Sequence, residues 1–437
     1  MAVLVGSVAS AGSDEADGVF EYPFEDFGLS IILPGLINLH AHLEYSALRC
    51  FNTEDILFDW IKSLMCNVRS WTEADFRSSA RSGLRWLAAS GTTCVVDSSY
   101  TGQAAHAIAE CGLRGVVGLE LFGSAEKQAQ NIWGRWLEKR ESLLTANQET
   151  EAAGLPRAEA AHATQACLRA GSSLAQALDD GRVSLTVAPH APYTVCPSLM
   201  RLAVDWAQSQ NQPVLVHLSE SKNERDWFCR GDAILDAFFL GLPGSAREDV
   251  ASLSGRAGGL SPVRHLSRHN LLGPWLIAAH CVHLDDEDIA LLGSNQVKVA
   301  HCPRSNARLG NGMAPIGKLL AAGVELGFGT DSAASCDDLD VLSEARFAWN
   351  LQRAVNPSNL LSAQNAIWRL TQGAAEILGL GDVIGSLKEG KAADIAIFAI
   401  PEVHASALER PFDLLVYGKP RLCDLYVNGR KVVNKDV

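Results

Sequence analysis

Leu33-Pro-Gly-Leu-Ile-Asn-Leu-His-Ala-His42 is the stretch from which the fold is read. A short, mostly apolar run enters through Pro34-Gly35 and ends in two histidines, His40 and His42. Along a strand, residues i and i+2 point the same way, so both imidazoles leave one face. Seven further runs of this kind follow, at Thr92–Ser98, Gly115–Leu121, Ser184–His190, Pro213–Glu220, Leu276–Val282, Val297–Pro303 and Val324–Asp331. Most are apolar on both faces, as parallel strands covered by helices are. Helical stretches separate them: Thr72 followed three residues later by Asp75 opens one, and the acidic Asp285–Asp288 segment suits the start of another. Eight β/α units close into a barrel more readily than they extend as an open sheet. The expected fold is therefore α/β, a (β/α)8 TIM barrel over residues 33–384.

The two ends read differently. Residues 1–32 are β-like, and residues 385–437 alternate in polarity, with Asn428-Gly429 as a hairpin signal between Leu425–Val427 and Lys431–Val433. They predict a small β-sandwich domain built from both termini. Two intervals, 123–182 and 221–274, exceed a single helix. The first reads as two helices joined at Gly154–Pro156, and the second as a cover for the barrel mouth, where substrate lids lie.

A net charge of −13 repels phosphate backbones and anionic headgroups, so nucleic acid and membrane surfaces are not expected partners. Eleven cysteines without a CxxC pair suit a reducing compartment. No apolar run spans a bilayer, and the apolar stretch Ala2–Gly12 lacks a basic flank, so the expected location is cytoplasmic.

The strand ends carry the chemistry. His40 and His42 close the first strand, His190 the fourth, His217 the fifth, His280 the sixth and Asp331 the eighth. In a β/α barrel, catalytic groups come from the C-terminal ends of different strands, and here polar residues interrupt apolar runs at those places. Imidazoles with a carboxylate suit a borderline divalent ion such as zinc, with ferrous iron also accommodated. Glu220, three residues after His217, can hang over the ion without binding it and carry protons. His190 is the best candidate for touching substrate. His283 and His301 are read as support or structure, and His106, His162, His265, His269 and His404 as solvated. Trp60, Arg69, Glu120 and Arg135 are candidates for more distal substrate contacts.

Taken together, these segments resemble the amidohydrolase superfamily, in its mononuclear aminohydrolase branch of S-adenosylhomocysteine, methylthioadenosine and aminofutalosine deaminases. The matching pieces are the opening stretch, Val216-His-Leu-Ser-Glu220, Ala279-His-Cys-Val-His283, His301-Cys-Pro-Arg-Ser-Asn306 with Gly310-Asn-Gly-Met-Ala-Pro315, Gly329-Thr-Asp-Ser332 and Gly385-Ser-Leu-Lys-Glu-Gly-Lys-Ala-Ala-Asp-Ile395. The resemblance implies one divalent metal held by His40, His42, His217 and Asp331. It implies Glu220 as proton shuttle, His280 as the group orienting the attacking water, Asp331 as its partner in taking the water's proton, and His190 and Glu220 at the substrate. It also implies hydrolytic deamination of a 6-aminopurine-type ring and a possible homodimer. Two departures stand out. Few residues precede the first strand, which implies an abbreviated sandwich. The fourth strand ends Ala188-Pro189-His190, without the lysine that bridges two metals in binuclear relatives. Rival readings are a triazine-type chlorohydrolase, a guanine, cytosine or 8-oxoguanine deaminase, and a barrel that serves only as a scaffold.

Overall fold

Eight strands lie parallel in one sheet: β3 (Leu36–Ala41), β4 (Thr92–Ser99), β5 (Arg114–Leu121), β6 (Val183–Pro189), β7 (Val214–Leu218), β8 (Leu276–His280), β9 (Lys298–His301) and β10 (Leu326–Phe328). They run in chain order around a (β/α)8 TIM barrel. The computed structural model describes residues 4–6, 27–50, 54, 56–145, 171–241, 258–355, 361–400 and 405–433. The barrel closes where Ala41 and Asp331 form a parallel bridge and the Asp331 N–H donates to the His40 carbonyl at 2.9 Å.

The alternation of the strands divides the core. Val116, Ala188, Leu215, Ile277 and Ala300, from successive strands, pack in one buried cluster. Their neighbours Val117, Val187, Val216, Ala278 and Val299 pack in another with helix residues such as Leu84, Ile108, Leu199 and Ile289. Burial on both faces is why these strands read as nearly continuous apolar runs. The helix starts read from the sequence hold as full capping boxes. Thr72 and Asp75 cap the Glu73–Ala89 helix, and Asp285 and Asp288 cap Asp286–Ser294.

The small domain is a five-stranded antiparallel sheet from both ends of the chain. Its order is β1 (Leu4–Gly6), β2 (Ser30–Pro34), β11 (Ile395–Ala399), β12 (Arg421–Val427) and β13 (Arg430–Val433). Asn428 and Gly429 turn β12 into β13, both with positive φ (49° and 75°), as a tight hairpin of this type needs. Of the two long intervals, the first carries helices Ala129–Thr145 and Leu174–Asp179, while the Gly154–Pro156 joint lies outside the described residues. The second carries helices Lys222–Arg230, Ala233–Leu240 and Pro262–Arg268.

Sheet and barrel are tied by a buried ion pair. Arg114, at the start of β5, donates Nε–H to Asp394 Oδ2 (3.0 Å) and Nη2–H to Oδ1 (3.2 Å), and the Asn428 N–H donates to the same Oδ1 (2.9 Å). Both side chains are buried. Removing one partner strands a desolvated charge, which costs about 3–5 kcal/mol. Asp394→Ala should therefore lose about that much stability in urea unfolding. The double change Arg114→Met with Asp394→Leu should lose clearly less, and equal losses would show that the pair acts through something other than its buried charge.

Candidate active site

The functional groups meet because the strands stop where they do. β7 ends at Leu218, and Ser219 turns with φ 52°, placing Glu220 beyond the strand. β8 ends at His280, where φ is 72°. β10 ends at Phe328, three residues before Asp331, whose φ is 61°. Non-glycine residues adopt such backbone only when the surrounding structure demands it, and they collect at functional sites. Gly329 fits the same closure: a Cβ there would lie 2.6 Å from His40 Cβ.

The structure brings His40, His42, His190, His217, Glu220, His280 and Asp331 to one end of the barrel. Ring nitrogens of His40, His42 and His217 lie within 4.8 Å of one another, and so do ligand atoms of His40, His280 and Asp331. His42 Nε2 faces His217 Nε2 at 3.1 Å, and Asp331 Oδ1 is 3.5 Å from His40 Nε2 and 3.6 Å from His42 Nε2. His217 donates Nδ1–H to the His190 carbonyl at 2.8 Å, which leaves the Nε2 lone pair turned to the cluster. His40 Nε2 is buried with no hydrogen-bond partner. An imidazole nitrogen left so is costly. A divalent cation is the group that this donor set, three imidazoles and a carboxylate, would satisfy.

Electrostatics separates the two carboxyl groups at the mouth. Glu220 is pushed well above the usual range by burial, then by Asp331 and Glu224. Burial would raise Asp331 too, but the contact with His40 and the proximity of His42 and His280 outweigh it and hold the carboxylate well below its ordinary value. Two carboxyls whose surroundings drive them apart are the signature of one acid and one base in the same site. Burial, then His40, pushes His42 down to about 3. Burial lowers His190 and His280 to about 4, with His280 adding to it for His190. Burial lowers His217 as well, so His42, His190, His217 and His280 are neutral at physiological pH, the form a metal needs.

Several supporting residues were not picked out individually from the sequence. Ser305 and Ser335 donate hydroxyl protons to Asp331 Oδ2 at 2.5 and 2.8 Å. His280 donates Nδ1–H to Asn306 Oδ1 (2.8 Å), and Asn311 donates Nδ2–H to Glu220 Oε1 (3.0 Å). Glu224 accepts from the Ser219 and Glu220 N–H groups. These contacts join residues up to 91 positions apart, which no local pattern records. Ser305, Asn306 and Asn311 did lie within segments singled out for resemblance, which is the signal that could have found them.

Of the distal candidates, Trp60, Arg69 and Glu120 line the cavity above the cluster, whereas Arg135 is exposed on the Ala129–Thr145 helix and does not. Glu120, the penultimate residue of β5, has Oε1 3.9 Å from His42 Nδ1, and burial, then Glu44, raises it to about 8. His283 takes the supporting place expected of it, bonded through Nε2 to the Asn311 carbonyl at 2.7 Å. The expectation of solvated histidines fails at His106 and His265, both buried. His265 packs on Phe228 at 5.1 Å, because its helix faces the neighbouring helices rather than water. His269 is exposed as expected, and His162 and His404 lie outside the described residues.

A model of the amidohydrolase family matches residues 31–430, and the chain belongs to that family. The 5-methylthioadenosine/S-adenosylhomocysteine deaminase of Syntrophobacter fumaroxidans is 30% identical over 429 residues, covering 95% of this chain and 83% of the relative. The deaminase of the same name from Pyrococcus furiosus is 31% identical over 414 residues, covering 93% and 84%. Among solved structures, a zinc-bound adenosine deaminase from Xanthomonas campestris superposes with a TM-score of 0.73 at 25% identity, covering 93% of this chain and 82% of that one. A zinc complex of atrazine chlorohydrolase from Arthrobacter aurescens shares the fold at 22% identity and a TM-score of 0.73, over 99% and 90% of the two chains.

The depressed imidazoles make a pH prediction. A solvated histidine cluster is protonated, and loses metal, as pH falls through about 6.5. Lowered pKa values move that competition to more acid conditions, so an ion bound at this cluster should be retained to pH 5 or below. Metal content after dialysis at stepped pH checks this, and half-loss at pH 6.5 or above would contradict it.

Proposed function

We propose that the protein hydrolytically deaminates an adenosine-derived nucleoside, replacing the amino group of a 6-aminopurine ring with oxygen and releasing ammonia. The observation that carries this reading is the placing of two carboxyl groups at one histidine cluster, Asp331 against His40 and His42 and Glu220 against His280, with burial raising Glu220 and the imidazoles lowering Asp331. The similarity to named deaminases over nearly the whole chain supports it.

In this reading His40, His42, His217 and Asp331 hold one divalent ion, zinc first, with ferrous iron accommodated by the same donors. β6 ends Ala188-Pro189 before His190 and offers no lysine to bridge a second. When bound, the ion supplies a water of lowered pKa. Asp331 takes the proton of the attacking water. Ser305 and Ser335 occupy its Oδ2, leaving Oδ1 directed at the histidines. His280, tethered through Nδ1 to Asn306, presents an unprotonated Nε2 that accepts from that water and orients it. The Asn311 amide donates to Glu220 Oε1, so the carboxyl proton resides on Oε2, the oxygen 3.8 Å from His280 Nε2. From there Glu220 protonates the ring nitrogen beside the amino-bearing carbon. The proton held by Asp331 passes to the amino nitrogen, the carbon–nitrogen bond breaks to release ammonia, and the hydroxyl proton left on that carbon returns to the Glu220 carboxylate as the carbonyl forms. His190, held by Thr194 Oγ1 at 2.9 Å, contacts the substrate.

The ten described cysteines are all free, which supports a cytoplasmic setting, and the resemblance adds a homodimer. No described helix is long and apolar enough to cross a membrane. General acid–base help of this kind is worth about 10²–10⁴-fold. Glu220→Gln should lower ammonia release from nucleoside by that factor while metal content per chain stays unchanged. Turnover near that of the unaltered enzyme would refute the shuttle, and chloride release from chlorotriazines in place of ammonia from nucleosides would move the reading to the chlorohydrolases.

A further inference from the structure

We infer that the cleft between the barrel and the terminal sheet is a second ligand site, one that binds the phosphate group of a small phosphate ester. The cleft encloses about 420 Å³, within the size range of pockets that hold small ligands. It shares no lining residue with the cavity over the histidines. Four parts of the chain line it. Trp86 and Ser90 come from the end of the Glu73–Ala89 helix, and residues between Asp338 and Arg346 from the start of the Val341–Val355 helix. Lys419 to Leu422 lead into β12, and Arg49 follows the short Leu43–Leu48 helix.

The charge of this cleft runs against that of the molecule. Among the described residues its cations are Arg49, Arg346, Lys419 and Arg421 and its acids Asp338 and Asp340, four against two, in a chain of net charge −13. Both acids are already engaged. Asp338 Oδ1 pairs with Arg304 Nη2 at 2.6 Å, and Arg304 holds that carboxyl below its ordinary value although burial raises it. Asp340 Oδ1 accepts from the Leu342 N–H (2.9 Å) and Oδ2 from the Ser343 hydroxyl (2.6 Å). The cations are less committed, and none of the four makes an ion pair among the described residues. Arg49 lies over the Trp86 ring, 4.9 Å from its centroid, and its Nε–H is buried without an acceptor. Arg346 donates to neutral oxygens, the Val416 carbonyl and the Ser343 hydroxyl. Lys419 and Arg421 are exposed, two residues apart. A buried donor left unpaired is costly, and guanidinium groups pair best with carboxylate and phosphate oxygens. A phosphate ester brings up to two negative charges and three acceptor oxygens, which matches an excess of two cations. The N-terminus of the 15-residue Val341–Val355 helix adds its dipole in the same sense. Trp86, Phe398 and Leu422 offer apolar surface to the organic part of the ester.

Titration calorimetry of the metal-loaded protein with phenyl phosphate, inorganic phosphate, benzoate and phenol tests this. Phenyl phosphate should bind once per chain, at least about tenfold tighter than inorganic phosphate or benzoate. Phenol should give no binding heat, and added salt should weaken the phosphate ester. Reversing the two exposed cations together, Lys419→Glu with Arg421→Glu, should weaken phenyl phosphate at least about tenfold, and Arg49→Met should do the same. Arg135→Met removes an exposed charge elsewhere and should leave the affinity unchanged. Because Lys419 and Arg421 are exposed, their exchange tests the site even if Arg49→Met fails to fold. Inorganic phosphate as tight as phenyl phosphate would make the free ion the ligand and overturn the ester. Benzoate as tight would overturn the selection of phosphate. No binding of phenyl phosphate would overturn the site, and so would binding that both cleft variants leave unchanged, since the anion would then lie elsewhere, with the histidine cluster the first place to look.

Discussion

One main-chain hydrogen bond, from the Asp331 N–H to the His40 carbonyl, joins the end of the first barrel strand to the end of the eighth, and the site depends on it. His40 and His42 arrive from one side of that seam and Asp331 from the other, nearly three hundred residues later in the chain. The seam tolerates little bulk: Gly329 lies against His40 where a Cβ would collide, and Asp331 takes left-handed backbone to turn its carboxylate toward the rings. Closure of the barrel and assembly of the cluster are a single event.

Burial then sets the protonation states. Crowding five histidines and two carboxyl groups into a buried mouth disfavours charge, so His42, His190, His217 and His280 stay neutral and Glu220 keeps its proton. Asp331 escapes because it is surrounded by imidazoles and by the hydroxyls of Ser305 and Ser335. Desolvation raises both carboxyls, but their neighbours act in opposite senses: the carboxyls of Asp331 and Glu224 beside Glu220, and nitrogen rings beside Asp331. The acid and the base of the proposed reaction follow from that difference, without any unusual residue being required.

The sequence was informative where function sits on strand ends. Each polar residue that interrupted an apolar run, from His40 to Asp331, lies at the mouth, because residues spaced two apart on a strand keep one orientation and a barrel gathers all such ends on one rim. It was uninformative about what holds those residues. Asn306, Asn311, Ser305 and Ser335 occupy short helices and turns whose local pattern says nothing about a partner on another strand. The solvated reading of His106 and His265 failed for the same reason, since a histidine in a helix shows its neighbours only once the helix is packed. The mouth was expected to be covered by the interval 221–274, and Phe238 does reach it, but much of the wall comes from the Leu57–Val68 helix after the first strand.

The sequence by itself determined the period of the fold and the identity of the chemistry-bearing groups, since both rest on spacing: eight β/α units, histidines two apart on a strand, a carboxylate after the last. Tertiary structure alone decided which nitrogen is left without a partner, which carboxyl holds a proton and which cations gather at one cleft. Those properties depend on distance and on exclusion of water, and residues remote in sequence acquire both only when the barrel closes around them.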